Sequence, residues 1–233
     1  MYLYIIRHGN PDYEKDCLTQ RGWAQAEAVA YRLKRSGITR VFSSPMGRAR
    51  QTAQPTCRLL NLPCEIEEWA REISLDVRTP FPDGTIRSIS RLPKHYFREN
   101  GAQDLSYEEC CACPALSDTS MYEARKKIET ASRGFLSRLG YQEVNGVYRI
   151  LFESEERVAM FCHGALGRAW ISVMLHIPLN IMWCSEYTHT GVTILRFANE
   201  PGGFTAPALL CYADMSHLYA HGPDMRCNNQ ELI

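Results

Sequence analysis

Near the start of the chain, Arg7, His8 and Gly9 have the types and order that phosphoryl chemistry needs, and they follow directly on the apolar run Tyr2-Leu3-Tyr4-Ile5-Ile6. A neutral imidazole can attack phosphorus while its other ring nitrogen is held by an acceptor. Arg7 offers a planar fork that pairs with two phosphate oxygens and keeps its charge at ordinary pH. Gly9 lets the backbone turn tightly and approach a ligand. An isolated histidine is more often a surface or core residue, so the tripeptide gains meaning only with partners elsewhere. One is the segment Ser43-Ser44-Pro45-Met46-Gly47-Arg48-Ala49-Arg50-Gln51-Thr52-Ala53. It places arginines in the first turns of a helix, where the helix N-terminus and a guanidinium both suit an anion. Arg48 is read there as functional and Arg50 as an exposed helix cation.

The elements that would position these residues are legible in the periodicity. Residues 2 to 6 read as a strand buried on both faces. Residues 20 to 35 read as a helix with Trp23, Ala26, Ala30 and Leu33 recurring at three and four, Thr19 as N-cap and Gly37 as stop. Thr39 to Phe42 is a short strand, residues 45 to 60 a helix with Pro45 in its first turn, and Cys64 to Ile66 a short extended piece. A helix from Asp118 to Leu139, a strand from Arg157 to Phe161, a helix over 164–175 and strands over 192–197 and 208–212 complete the pattern. Such alternation predicts a three-layer α/β/α sandwich with a mainly parallel central sheet. His8, Ser43-Ser44 and His163 all fall just beyond predicted strands, where sheets of this kind place their chemistry.

The 233 residues, 45% of them hydrophobic, suit a single domain over 1–233 with an insertion over about 79–117 that would form a lid. Lys+Arg and Asp+Glu each count 26, so no global field would draw in nucleic acid or a membrane surface. No basic leader or long apolar span is present, and the ten cysteines are scattered, so a cytoplasmic protein with reduced thiols is expected. Cys110-Cys111-x-Cys113 lacks the paired spacing of a structural zinc site.

Arg7-His8-Gly9, Leu18-Thr19-x-x-Gly22-x-x-Gln25-Ala26, the Ser44-to-Ala53 segment and His163-Gly164, taken together and in this order, resemble the histidine phosphatase superfamily, also called phosphoglycerate-mutase-like. The resemblance implies that His8 becomes phosphorylated, that Arg7 and Arg48 clamp the phosphate and that His163 contacts the transferred group. Asn10 and Thr19 match positions that line the pocket. In Trp69-Ala70-Arg71-Glu72-Ile73, Glu72 would be the proton donor and later the base. The alternative for Glu72 is a solvated carboxylate beside Glu65, Glu67 and Glu68. His189 and His217 are read equally as pocket-mouth and as ordinary loop histidines.

The implied activity is that of a phosphoric monoester hydrolase of histidine acid phosphatase type, acting on a small phosphorylated metabolite with no cofactor and no metal. Guanidinium and imidazolium groups would supply the charge that a metal would bring. The only expected partner is the small-molecule phosphomonoester, with no nucleic acid or membrane and a homodimer left open. Ala165 stands where phosphoglycerate mutases usually carry asparagine, which favours hydrolysis over a phosphoglycerate-mutase-type isomerase or a non-catalytic phospho-ligand module. Arg87, Arg91, Lys94, His95 and Arg98 form a cationic cluster in the insertion, read either as a lid favouring a second anionic group or as a solvated helix face.

Overall fold

A computed structural model describes residues 1–74, 85, 105–112, 117 and 119–221. In chain order its strands and helices are β1 (Tyr2–Arg7), β2 (Pro11–Asp12), β3 (Cys17–Leu18), α1 (Gln20–Ser36), β4 (Arg40–Ser43), α2 (Gly47–Leu60) and β5 (Cys64–Ile66). Then come α3 (Met121–Arg138), β6 (Tyr141–Val144), β7 (Val147–Ile150), β8 (Arg157–Cys162), α4 (Gly164–Leu175), α5 (Leu179–Trp183), β9 (Val192–Arg196), β10 (Phe204–Thr205) and β11 (Ala208–Asp214).

Six strands form the central sheet in the order β11-β9-β1-β8-β4-β5. β1, β8, β4 and β5 run parallel, and β9 and β11 extend the sheet antiparallel beyond β1. Side chains alternate between the faces of a strand, so each strand feeds two cores. Leu3 and Ile5 join Phe42, Val158 and Met160 on the face packed with Phe135, Leu166 and Trp170. Tyr4 and Ile6 join Val41, Ala159 and Phe161 on the face packed with Val29, Leu33 and Ala53. Helices therefore cover both sides, and the mainly parallel three-layer expectation holds.

Local chemistry explains the boundaries. Thr19 caps α1, its hydroxyl accepting from Gly22 N at 3.1 Å, and Gly37 ends it in the left-handed region at φ 68°. The predicted proline start of α2 is corrected: the helix begins at Gly47 with Met46 as N-cap, so Pro45 lies ahead of it. Met46 offers no capping side chain, and Asp16 Oδ2 takes the Gly47 N–H instead at 2.7 Å. Likewise α3 starts at Met121 rather than Asp118, after the N-cap Ser120. The hairpin of β6 and β7 was not expected; it turns on Asn145-Gly146 with both residues at positive φ, 51° and 84°.

Most of the insertion, with Arg87, Arg91, Lys94, His95 and Arg98, lies outside the described residues. Its described end carries Tyr107, Cys110 and Cys111 into the core, with the Arg125 guanidinium stacked 3.6 Å from the Tyr107 ring. Among the described residues the eight cysteines are free thiols, and no helix is long and apolar enough to cross a membrane.

The core on the α3–α4 side is an aromatic nest. Phe135 meets Phe42, Trp69 and Trp170 at ring distances of 5.0, 5.8 and 5.7 Å. Replacing Phe135 by Ala removes the centre of that nest, and the expected cost is about 4 kcal/mol, read as a fall in Tm of roughly 8–16 °C in calorimetry.

Candidate active site

Four segments meet at the carboxyl edge of the parallel strands. Arg7 pairs with Cys162 in the parallel β1–β8 ladder, and Ser43 pairs with Phe161 across β4–β8. The next residues along the chain, His8, His163 and Ser44, therefore emerge side by side. His8 N–H donates to Cys162 O at 2.9 Å, and Ser44 N–H to Phe161 O at 2.9 Å. Because β9 runs antiparallel to β1, its beginning lies at this same edge: Thr190 N–H donates to Arg7 O at 3.1 Å.

The family-like motif residues turn out to be the scaffold of the His8 loop. Thr52 Oγ1 of α2 accepts from Gly9 N at 2.9 Å, and Gln25 Oε1 of α1 accepts from Asn10 N at 2.8 Å. Thr19 donates to Asn10 Oδ1 at 2.7 Å while capping α1. Asn10 and Thr19 are thus joined to each other and to the start of α1. A Cβ on Gly22 would stand 2.2 Å from Asn10 O, so only glycine lets α1 seat this closely.

His8 is 1% exposed, and its Nδ1 lies 2.7 Å from Gly9 O. A carbonyl only accepts, so Nδ1 carries the proton and Nε2 keeps its lone pair. Burial first, and then Arg7, His163 and His189, push its pKa well below the ordinary value; the ring is neutral at physiological pH. The His163 ring centroid is 5.2 Å from that of His8, and its Nε2 is 2.7 Å from Ser44 Oγ. Burial, reinforced by Arg48 and Arg7, drives His163 down to about 3. Both imidazoles are thus held towards the neutral form, and the fixed positive charge belongs to the arginines.

Arg7 Nη1 donates to Tyr187 O, and Arg7 Nε lies 3.1 Å from where a Cβ on Gly164 would stand. Arg48 is 5% exposed, and its Nη1 donates to Asp16 Oδ1 at 2.5 Å. Burial alone would raise the Asp16 carboxyl, but the Gly47 N–H and the Arg48 guanidinium outweigh it and hold it below its ordinary value. Among the described residues, Arg7 Nε, Arg48 Nε and His163 Nδ1 are buried and meet no hydrogen-bond partner. Such groups are costly unless something accepts from them. Arg50, read as an exposed helix cation, is exposed.

Glu72 is brought to the site. Its Oε1 accepts from Leu166 N at 3.0 Å and its Oε2 from Ala165 N at 3.4 Å, so the carboxylate sits on the first turn of α4, directly after His163. The Trp69–Trp170 contact at 5.0 Å anchors the turn that delivers it. The solvated-carboxylate alternative does not describe this geometry.

His189 belongs to the cluster. It is 5% exposed, its ring is 5.6 Å from that of His8, and burial with Arg7 and Arg21 lowers it to about 2. His217 instead stands behind the site, 3.1 Å from Thr190 Oγ1. Sequence reasoning missed Asp16, whose only signal was a carboxylate close to the Arg48 helix once folded, and Tyr187, which has none before the fold is known.

A match to known families agrees with this arrangement. Residues 3–106 match the family model described as the histidine phosphatase superfamily (branch 1). A curated relative from Escherichia coli O1:K1, named "Probable phosphoglycerate mutase GpmB", is 27% identical over 149 residues, which is 58% of this chain and 68% of the relative. Among solved structures, a phosphoserine phosphatase from Entamoeba histolytica in complex with 3-phosphoglyceric acid aligns with a TM-score of 0.60 at 21% identity, covering 93% of this chain and 98% of that one. A mycobacterial glucosyl-3-phosphoglycerate phosphatase aligns with a TM-score of 0.59 at 19% identity, covering 91% and 98%. At these identities the structural likeness establishes the fold.

Burying His163 neutral has a consequence for stability. The unfolded chain takes up a proton near the ordinary histidine value of 6.5, whereas the folded chain holds out to about 3. Stability attributable to this residue is therefore complete above about 6.5 and lost as pH falls from there towards 3. His163→Gln is expected to flatten the decline in Tm between about pH 7 and pH 5; an unchanged slope in paired thermal melts would count against a neutral buried His163.

Proposed function

We propose that this chain is a member of the histidine phosphatase superfamily, whose model matches residues 3–106, and that it hydrolyses phosphomonoesters through a phosphohistidine on His8. The carrying observation is the bond from His8 Nδ1 to Gly9 O at 2.7 Å, which leaves Nε2 as the nucleophile in a buried site. Beside it, the buried donors Arg7 Nε, Arg48 Nε and His163 Nδ1 suit the equatorial oxygens of a phosphoryl group.

In the first step the Nε2 lone pair attacks phosphorus, the P–O ester bond breaks, and the departing oxygen takes a proton from Glu72. In the second, water attacks the phosphohistidine, Glu72 accepts the water's proton, the P–N bond breaks and inorganic phosphate leaves. The neutral state of His8 is what attack requires, and the cations of Arg7 and Arg48 balance the charge that gathers on the phosphoryl oxygens. To deliver its proton, Glu72 must turn one oxygen away from the α4 backbone towards the leaving oxygen.

The fold neighbours named as phosphatases, of phosphoserine and of glucosyl-3-phosphoglycerate, support hydrolysis of a small phosphorylated metabolite. The curated relative's name favours a second reading, a phosphoglycerate-mutase-type isomerase that returns the phosphoryl group to the same molecule. Assaying phosphate release beside isomer formation from 3-phosphoglycerate separates the two.

His8→Ala is expected to abolish phosphate release from every substrate; release at the wild-type rate would overturn the assignment. Glu72→Gln removes the acid, so hydrolysis of an alkyl phosphate should fall on the order of 10²-fold or more. With 4-nitrophenyl phosphate, whose leaving group needs no proton, the first step should fall far less, and burst-phase kinetics would show the difference.

A further inference from the structure

Resting on the phosphatase reading, we infer that Tyr13 determines specificity: its ring is a platform on which a flat, aromatic leaving group of the phosphomonoester packs. Tyr13 is 65% exposed, yet it stands against both working parts of the site. Its ring lies edge-on to the His8 imidazole at 6.4 Å between centroids. The Arg48 guanidinium carbon lies 5.4 Å from the centre of the same ring. An ester whose phosphoryl group sits between His8 and Arg48 must send its organic part outwards, and this ring is an exposed apolar surface flanking both residues.

The platform is held in place before any substrate arrives. Tyr13 rides on the hairpin of β2 and β3, paired as Pro11 with Leu18 and Asp12 with Cys17. On one side of the turn Asp12 Oδ1 accepts from Glu14 N at 3.1 Å and Lys15 N at 3.2 Å. On the other, Asp16 grips the start of α2 with both oxygens, Oδ2 on Gly47 N at 2.7 Å and Oδ1 on Arg48 at 2.5 Å. A Cβ on Gly47 would stand 2.2 Å from Asp16 O, so the turn and the helix start are in close backbone contact. Ordering of the loop is thus spent in folding rather than in binding, which leaves more of any ring–ring attraction for selectivity. Arg48 adds a polarity to the arrangement. Its charge over one part of the ring leaves the exposed part for an uncharged aromatic group rather than a second cation or a polyol.

The test compares kcat/KM for phenyl phosphate and for glycerol 1-phosphate in the wild type, Tyr13→Ala and Tyr13→Phe. Offset ring packing of ordinary strength predicts that Tyr13→Ala lowers the phenyl-to-glycerol ratio about three- to tenfold, mainly through KM for phenyl phosphate, and that Tyr13→Phe preserves the ratio. Equal losses on both substrates would show that the ring serves His8 and Arg48 alone and overturn the inference, as would a ratio unchanged in Tyr13→Ala. A wild type that releases phosphate from neither ester overturns the phosphatase reading and this inference together, whereas an active wild type with an unmoved ratio overturns this inference only.

Discussion

The site depends on the register of one parallel ladder. Opposing Arg7 to Cys162 makes His8 and His163 the first residues beyond the sheet on neighbouring strands, and their rings then meet at 5.2 Å. A slip of one residue would send one of the two imidazoles to the other face of the sheet, because strand side chains alternate with a period of two. Both helical layers enforce the register, since Leu3 and Ile5 fill one core while Tyr4 and Ile6 fill the other. The chemistry at the edge is therefore specified by apolar packing in the middle.

Around that pair the protein keeps fixed charge on the arginines and holds the imidazoles towards their neutral form. Arg7 and Arg48 are permanent cations in largely buried positions, and each acts with burial to keep the neighbouring imidazoles uncharged. Arg7 is anchored on the Tyr187 carbonyl and Arg48 on Asp16 and Met46 Sδ, while the Nε of each is buried with no hydrogen-bond partner among the described residues. Single glycines give the room for this: Gly22 of α1 and Gly47 of α2 lie against the Asn10 and Asp16 backbone, and Gly164 of α4 lies against the Arg7 side chain. Glu72 then takes the first turn of α4, its carboxylate accepting from the Ala165 and Leu166 N–H groups just after His163.

How much of this the sequence disclosed follows from which interactions are local. Arg7, His8 and His163 at predicted strand ends, and Arg48 in the first turns of a predicted helix, were legible as motif positions, and so was the Thr19 cap, since cap chemistry is written within four residues. The Asn145-Gly146 hairpin was equally local and was overlooked, although that dipeptide is a strong turn signal. Pro45 misled the start of α2 because Asp16, far away in sequence, supplies the cap. His189 stayed ambiguous for a topological reason: only the antiparallel direction of β9 brings its leading loop to the edge where the parallel strands end. The lowered pKa of His163 is invisible in the sequence because burial depends on every layer around it.

The central position of β1 has a further consequence for how the molecule comes into being. Tyr2 pairs with Arg157 on one side and with Arg196 on the other. β1 therefore gains both neighbours only once residues far later in the chain have been made. Until then two open backbone edges of β1 are available to any other unpaired strand, the situation in which aggregation competes with folding. Contacts so distant in sequence are the kind that slow folding in general. The strand that leads into His8 is the one that waits longest for its partners.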